Sequence, residues 1–267
     1  MSLTARDIAR NPVKEKLARG EVVVSMAVRV VPGVEIVRIA KSAGFDMLYV
    51  DLEHSAFSMQ TTSQISIMGL EAGVPVFVRV PAFTPEYVSR VLDGGALGVI
   101  APGVRSAKEA RQVVEAVKYP PIGSRGFSLG LPLLEYRTFP AAEALPAMND
   151  ATMVIVQFES GAALAAMEEI VAVPGVDLIL IGTNDMLADL GLPGQYDHPK
   201  VEDVYQRTIA CAKKHGKHVG VGGFGSRPDL VEKYVKMGGR FVSTGTDLAF
   251  LVGECGKRVK QVREIKL

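Results

Sequence analysis

The sequence predicts a single (β/α)₈ barrel. Apolar runs of strand length alternate with helical patterns, which argues for a parallel sheet. Eight such units of about thirty residues fill the 267-residue chain, and that count favours a closed barrel over an open doubly wound sheet. Two of the runs, VIVQFESG at 154–161 and LILIGTND at 178–185, end abruptly in small and acidic residues. A buried parallel strand that empties into a loop has this signature.

The first unit is preceded by an amphipathic pattern over 4–18, read as one helix that plugs an end of the barrel. Strands are expected at 22–28, 46–54, 74–81 and 96–103. The helices between them cover 31–44, 58–72 and a stretch opened by Pro85 at its first turn. Gly44 and Gly73 sit where helices stop. The fourth helix spans 106–119, with Ser106 and Glu109 in capping-box spacing. Residues 120–150 then break the rhythm with five prolines and GSRGFSLG. A long excursion inside a compact domain usually shapes a pocket or reaches a neighbour. The fifth strand is expected at 151–159 with a helix to 172, and the sixth at 176–182. A helical region over 183–190 and 199–214 follows, interrupted by GLPGQYDHP. Strands at 218–223 and 239–245 and helices at 226–237 and 246–264 complete the count. No linker divides residues 1–267 into two domains.

Composition excludes several classes. Net charge is +1, from 30 basic and 29 acidic residues, so nothing draws the chain to nucleic acid or an anionic membrane. No apolar run approaches the roughly 18 residues of a membrane span. The opening MSLTARDIARNPVKEK carries charges where a secretory leader needs an apolar core. Cys211 and Cys255 form no C-x-x-C pair and read as reduced thiols, neither a disulfide framework nor a zinc site. A cytoplasmic protein is the expectation.

In such a barrel the chemistry lies at the C-terminal ends of the strands. Strand two delivers Asp51, Glu53 and His54 there, and strand three Arg79. Strand five delivers Gln157 and Glu159, and strand six Gly182, Thr183, Asn184 and Asp185. Taken singly, Glu159 and Asp185 fit helix capping, where acids face unpaired amides. Paired on adjacent strands, they fit a hard divalent cation such as Mg²⁺ or Mn²⁺, which keeps several waters. His54 stands at a strand end beside acids that can orient it, although a lone histidine is more often structural. Arg79 reads either as a buried salt bridge to Glu53 or Asp51, or as a guanidinium fork for a carboxylate or enolate. No lysine ends a strand, which removes Schiff-base chemistry and leaves a metal as the Lewis acid. The glycine loops GGFGS and STGTD keep open a metal-free, phosphate-binding barrel.

YVDLEHS, VRVP, VIAPGVRSAKEARQVVEAVKYPPIGSRG, VQFES, VDLILIGTND and FVSTGTD together resemble the HpcH/HpaI aldolase family. The similarity runs in order from about residue 20 to 255. It implies a class II pyruvate aldolase, metal-dependent, that cleaves 4-hydroxy-2-oxo acids to pyruvate and an aldehyde and runs the reverse addition. By that resemblance Glu159 and Asp185 ligate Mg²⁺ or Mn²⁺, with Co²⁺ also possible. Arg79 grips the keto and enolate oxygen, His54 belongs to the base machinery, and Asp51 approaches the aldehyde-derived hydroxyl. Gln157 and the 182–185 turn hold the 2-oxo acid, with amides of Asn184 and Asp185 on its carboxylate. Asp93 matches an acid that the family pairs with the histidine. Here it ends the third helix, at the far end of its own barrel, so it would reach His54 only from a neighbouring subunit. The resemblance thereby implies a homo-oligomer, a dimer-based hexamer, with the last helix packed across to a partner. Where the family commonly has Gly-Pro-x-Asp, this chain has Gly182-Thr183-Asn184-Asp185, a turn without proline's rigidity. A related oxaloacetate decarboxylase or CoA-ester lyase remains the alternative. The apolar FSLGLPLLEY (127–136) is expected to line the aldehyde pocket with partner residues.

Overall fold

The computed structural model describes residues 3–266. Eight parallel strands close into a barrel in sequence order: β1 (Val23–Val28), β2 (Met47–Asp51), β3 (Val76–Arg79), β4 (Gly98–Ala101), β5 (Met153–Phe158), β6 (Leu178–Gly182), β7 (His218–Gly222) and β8 (Phe241–Thr246). β8 pairs with β1, with a register irregularity between Ser25 and Ala27. The helices are α1 (Ala5–Ile8), α2 (Pro12–Ala18), α3 (Glu35–Ala43), α4 (Met59–Ala72), α5 (Pro85–Asp93), α6 (Ala107–Val117), α7 (Ala141–Ala151), α8 (Gly161–Ala165), α9 (Met167–Val171), α10 (Thr183–Asp189), α11 (Pro199–Lys214), α12 (Pro228–Met237) and α13 (Asp247–Arg263). None is long and apolar enough to cross a membrane.

The strands are buried on both faces, and their period of two divides the side chains between two cores. Leu48, Val50, Val76, Val78, Val154, Val156 and Phe158 pack outward against the helices. Met47, Tyr49, Phe77, Met153, Ile155, Leu178 and Leu180 fill the barrel. The inward row turns polar as it nears the C-terminal mouth. Asp51 continues Met47 and Tyr49, Arg79 continues Phe77, and Gln157 continues Met153 and Ile155. Position along a strand thus decides whether an inward side chain is core or chemistry.

Three stretches differ from expectation. The plug is two helices rather than one. A helix cannot run smoothly into Pro12, whose ring disfavours helical backbone at the preceding residue. Asn11 instead caps α2, accepting from the amides of Val13 and Lys14. The excursion contains α7, hidden from sequence reading because Pro146 lies inside it. An alanine-rich stretch tolerates that lost hydrogen bond when packed, and α7 packs on α1. The helix after β5 divides into α8 and α9, and strand two stops at Asp51 rather than 54.

Part of the excursion sits at the opposite end from the one expected. Leu131, Leu133 and Leu134 pack with Ala5, Ala9, Val13 and Leu17 against the starts of the strands. Within this chain FSLGLPLLEY therefore closes the N-terminal end and lines no part of the mouth.

Gly69 shows how closely helix and strand approach. A Cβ there would stand 2.7 Å from both the Val74 carbonyl oxygen and Val76 Cγ2. Glycine-to-alanine changes in a helix interior ordinarily stabilise by about 1 kcal/mol. At Gly69 the sign should reverse, with Gly69→Ala destabilising by about 1–3 kcal/mol through overpacking, read as a fall in thermal midpoint. An unchanged or raised midpoint would contradict this close approach.

Candidate active site

β2 and β3 are in register at their last residues, with Asp51 opposite Arg79. That register makes the central contact. Arg79 Nε donates to Asp51 Oδ1 at 2.9 Å and Nη2 to Oδ2 at 2.7 Å. Arg79 Nη1 lies 3.0 Å from Glu53 Oε2, and the guanidinium carbon is 5.5 Å from the Tyr49 ring centroid. A second arginine, Arg29, donates from Nε to Asp51 Oδ2 at 2.6 Å. Burial alone would raise the Asp51 carboxyl, but Arg79 and Arg29 hold it below the usual range. Arg79 moves the other way: burial would lower it, and Asp51 raises it above the ordinary guanidinium value.

Asp51 was expected to approach an aldehyde-derived hydroxyl. It has no solvent exposure and both oxygens are taken by arginines, so in this chain it positions Arg79. Both candidate partners of Arg79, Asp51 and Glu53, are present together.

Across the mouth, Glu159 follows β5 and is half-buried. Its Oε2 accepts from the Gly103 amide at 2.7 Å, and its Oε1 accepts from Gln157 Nε2. Burial pushes its carboxyl up to about 7; the Gly103 hydrogen bond opposes this, while Glu53 and Asp185 add to it and Arg79 subtracts. Among the described residues Gln157 Oε1 and Glu53 Oε2 are buried without a hydrogen-bond donor. The Glu53 oxygen is close enough to Arg79 for an ion pair but lies outside hydrogen-bond geometry. Gly182 is needed beside them, because a Cβ there would meet Gln157 Nε2 at 2.7 Å and Glu159 Cγ at 2.8 Å.

The 182–185 turn is fastened by side chains. Thr183 Oγ1 donates to the Gly222 carbonyl at 2.7 Å and lies 3.0 Å from the Tyr205 hydroxyl. Tyr196 donates to Asn184 Oδ1 at 2.7 Å. Side-chain hydrogen bonds thus fasten a turn that lacks proline. Because the Thr183 hydroxyl is turned away and buried, only its backbone can meet a ligand. Asp185 is exposed.

His54 is half exposed, with Nε2 3.6 Å from Glu53 Oε2. Asp93 ends α5 and pairs with Arg125 at 2.5 Å, so within this chain its partner is an arginine and not His54.

Two cavities share this mouth. One of about 250 Å³ is lined by Arg29, Arg79, Gln157, Gly182 and Asp185, with glycines 222, 223 and 245 beyond. The other, about 830 Å³, is lined by Glu53, Glu159, Gly103, Phe83, Arg105 and Ser124. No lysine lines either. Lys118 is buried elsewhere, donating to the carbonyls of Asn149 and Thr152. Four carboxylates (Asp51, Glu53, Glu159 and Asp185) and two guanidinium groups (Arg29 and Arg79) converge here. Oxygen donors with excess negative charge suit a hard divalent cation.

Sequence reasoning missed two residues. Arg29 lies one position past the end of β1, in the inward row of Ala27, a period-two signal that could have found it. Asp247, buried at the start of α13, accepts from the amides of Arg29, Val30 and Val31 and fixes the loop that carries Arg29. It had no local signal, since these partners are more than 200 residues away.

Comparison with known proteins agrees with this geometry. The HpcH/HpaI aldolase/citrate lyase family model matches residues 30–253. A 4-hydroxy-4-methyl-2-oxoglutarate aldolase of Hapsidospora irregularis is 33% identical over 259 residues, 95% of this chain and 96% of that protein. A 2-keto-3-deoxy-L-rhamnonate aldolase of Escherichia coli strain K12 is 34% identical over 239 residues, 89% and 87% of the two chains. The crystal structure of an HpcH/HpaI aldolase from Desulfitobacterium hafniense DCB-2 superposes with a TM-score of 0.90 at 33% identity, over 95% of this chain and 97% of the other. The chain belongs to the HpcH/HpaI aldolase/citrate lyase family and is a carbon–carbon lyase.

Proposed function

We propose that this enzyme is a divalent-metal-dependent aldolase that cleaves 4-hydroxy-2-oxo acids to pyruvate and an aldehyde, and runs the reverse addition. The observation that carries the reading is the charge imbalance at the mouth. Four carboxylates meet there in acidic surplus; burial first, then Glu53 and Asp185, push Glu159 up to about 7. A divalent cation held by Glu159 and Asp185 would offset that surplus. All-oxygen donors favour Mg²⁺ or Mn²⁺, with Co²⁺ a substitute. The two relatives named above are aldolases of 2-oxo acids.

When bound, such an ion polarises the keto group of a 2-oxo acid and offsets charge that develops there. The chain's own residues do the rest. Arg79, immobilised by Asp51 and Glu53, keeps Nη1 at the cavity wall as a fixed positive charge for the developing enolate oxygen. Gln157 orients Glu159 through its amide nitrogen and offers its unpartnered oxygen to the cavity. The amides of Asn184 and Asp185 face the 2-oxo acid's carboxylate. His54, exposed and beside Glu53, accepts the proton of the 4-hydroxyl. The C3–C4 bond then breaks, the aldehyde departs, and its bonding pair forms the enolate, which regains a proton at C3 to give pyruvate. No lysine lines the cavities, which speaks against a Schiff-base route.

A second reading, decarboxylation of oxaloacetate, is favoured by Arg29, whose guanidinium adds a second cation to the smaller cavity and suits a diacid.

We also infer a homo-oligomer. Beyond Asp247, α13 buries none of its residues, and Leu251, Val252, Val259 and Val262 are exposed. An apolar helix face of this size needs cover. Asp93, whose Oδ1 pairs with Arg125, would then meet His54 of a neighbouring copy.

Glu159→Ala should abolish pyruvate release from 4-hydroxy-2-oxo acids and Mn²⁺ binding together, measured by lactate-dehydrogenase coupling and by metal titration. A fully active, metal-free variant would sink the metal reading. Release from oxaloacetate alone would select the second.

The raised Glu159 carboxyl also sets a pH dependence. Between the ordinary carboxyl value of 4.5 and about 7, the folded, metal-free protein holds this proton more tightly than the unfolded chain does. Its contribution therefore falls as pH rises through that window. The stabilisation given by added Mg²⁺ should grow over the same window, and Glu159→Gln should flatten it in thermal scans.

Val252→Lys together with Val259→Lys should shift the assembly towards monomer in light scattering, with the fold retained by circular dichroism.

A further inference from the structure

On the outside of the barrel, α9 and α11 bring together three metal-ligating side chains away from the mouth. Glu168 stands on α9. Cys211 on α11 and His215, just past its end, are four residues apart and share one helical face. The Cys211 thiol donates to Glu168 Oε2 at 3.1 Å, and His215 Nε2 lies 2.8 Å from Glu168 Oε1. One ligand atom from each residue lies within 4.8 Å of the others. Metal–sulfur and metal–nitrogen bonds of about 2.3 and 2.0 Å place tetrahedral donors roughly 3–4 Å apart, so an ion enters with side-chain adjustment alone.

We propose that Glu168, Cys211 and His215 form a second cation site, which takes Zn²⁺ or a chemically similar ion. A thiolate and an imidazole select Zn²⁺ over Mg²⁺, which prefers all-oxygen ligands. Three protein ligands leave a fourth position for water. Cys211 is thereby more than the plain thiol its sequence context suggested.

The groups facing the site set its chemistry. Lys214 Nζ sits 2.6 Å from the same Glu168 Oε1. Its side chain is exposed, so an incoming ion displaces it as the counter-charge of Glu168. Without an ion, burial and the Glu168 carboxylate push the Cys211 thiol up to about 11. The thiol is then neutral, and ion binding releases its proton. Occupancy ties α9, which precedes β6, to α11, which follows it. β6 is the strand that delivers Gly182 and Asp185 to the mouth.

The test adds Co²⁺ to the metal-free chain in excess Mg²⁺, which competes at the oxygen-rich mouth. A thiolate-to-cobalt charge-transfer band should appear in the near ultraviolet, since only a cysteine ligand produces it. Cys211→Ser should remove the band, whereas Cys255→Ser and Glu159→Gln should keep it. His215→Ala should weaken Co²⁺ binding by no less than the roughly 10–100-fold that loss of an outer-shell partner costs. Lys214→Met should tighten it by removing the competitor. Absence of the band in the folded protein would overturn the proposal, as would its persistence in Cys211→Ser. Failure of Glu159→Gln to bind Mn²⁺ at the mouth, with the band intact, separates this site from the catalytic one.

Discussion

The buried contact between Asp51 and Arg79 is the constraint from which the mouth is built. Burying an unpaired charge costs several kcal/mol, and breaking such a pair from one side costs about 3–5 kcal/mol. Both groups here lie nearly or wholly out of solvent. They survive because strand register places them opposite each other, and because two parallel N–H···O bonds lock the fork. Arg29 adds a second guanidinium to the same carboxylate. One acid thereby fixes two cations, Arg79 on β3 and Arg29 just past β1, and Asp247 fixes the loop that carries Arg29.

From that anchor, polarity is graded outward along the barrel wall. Asp51 is fully enclosed and compensated. Glu159 is half-buried and under-compensated, and Asp185 is exposed. Compensated charge makes a rigid support, while under-compensated charge makes a binding site. The raised Glu159 carboxyl is the electrostatic mark of that difference: burial raises it first, and Glu53 and Asp185 add to the rise while Arg79 opposes it. Gly182 belongs to the same arrangement, since any side chain there would displace the acid from the strand beside it.

The barrel was legible because its signals are local. Buried parallel strands read as apolar runs, and a period of two carries Asp51, Arg79 and Gln157 to the mouth. Glu159 and Asp185 were visible as acids at strand ends. Asp51 itself was found, but a sequence does not show that both its oxygens are occupied by arginines. The long excursion misled for a related reason. Its prolines mark a break in the rhythm, yet which end of the barrel its 131–134 segment covers depends on contacts with α1 and α2, more than 110 residues earlier. Pro146 hid α7 because local propensity opposes a helix that tertiary packing sustains. Asp247 was missed because its partnership with the Arg29 loop spans almost the whole chain.

The 182–185 turn is held by side-chain hydrogen bonds. Proline would stiffen this turn covalently, by fixing one backbone angle. Thr183 stiffens it through hydrogen bonds, to Gly222 on the next strand and to Tyr205 on α11. A hydroxyl in a fully buried site must find such partners or lose about 1–3 kcal/mol, so the threonine specifies its own surroundings. Tyr205 also stacks on Tyr234 with ring centroids 4.0 Å apart. The turn is thereby coupled to α11 and α12, which a proline would not require. Asn184 extends the same logic outward, because Tyr196, from the segment that interrupts the helical region, holds its amide oxygen. Thr183 and Asn184 therefore tie the 182–185 turn to the outer helices and the segment between them, and α11 is the helix that carries Cys211.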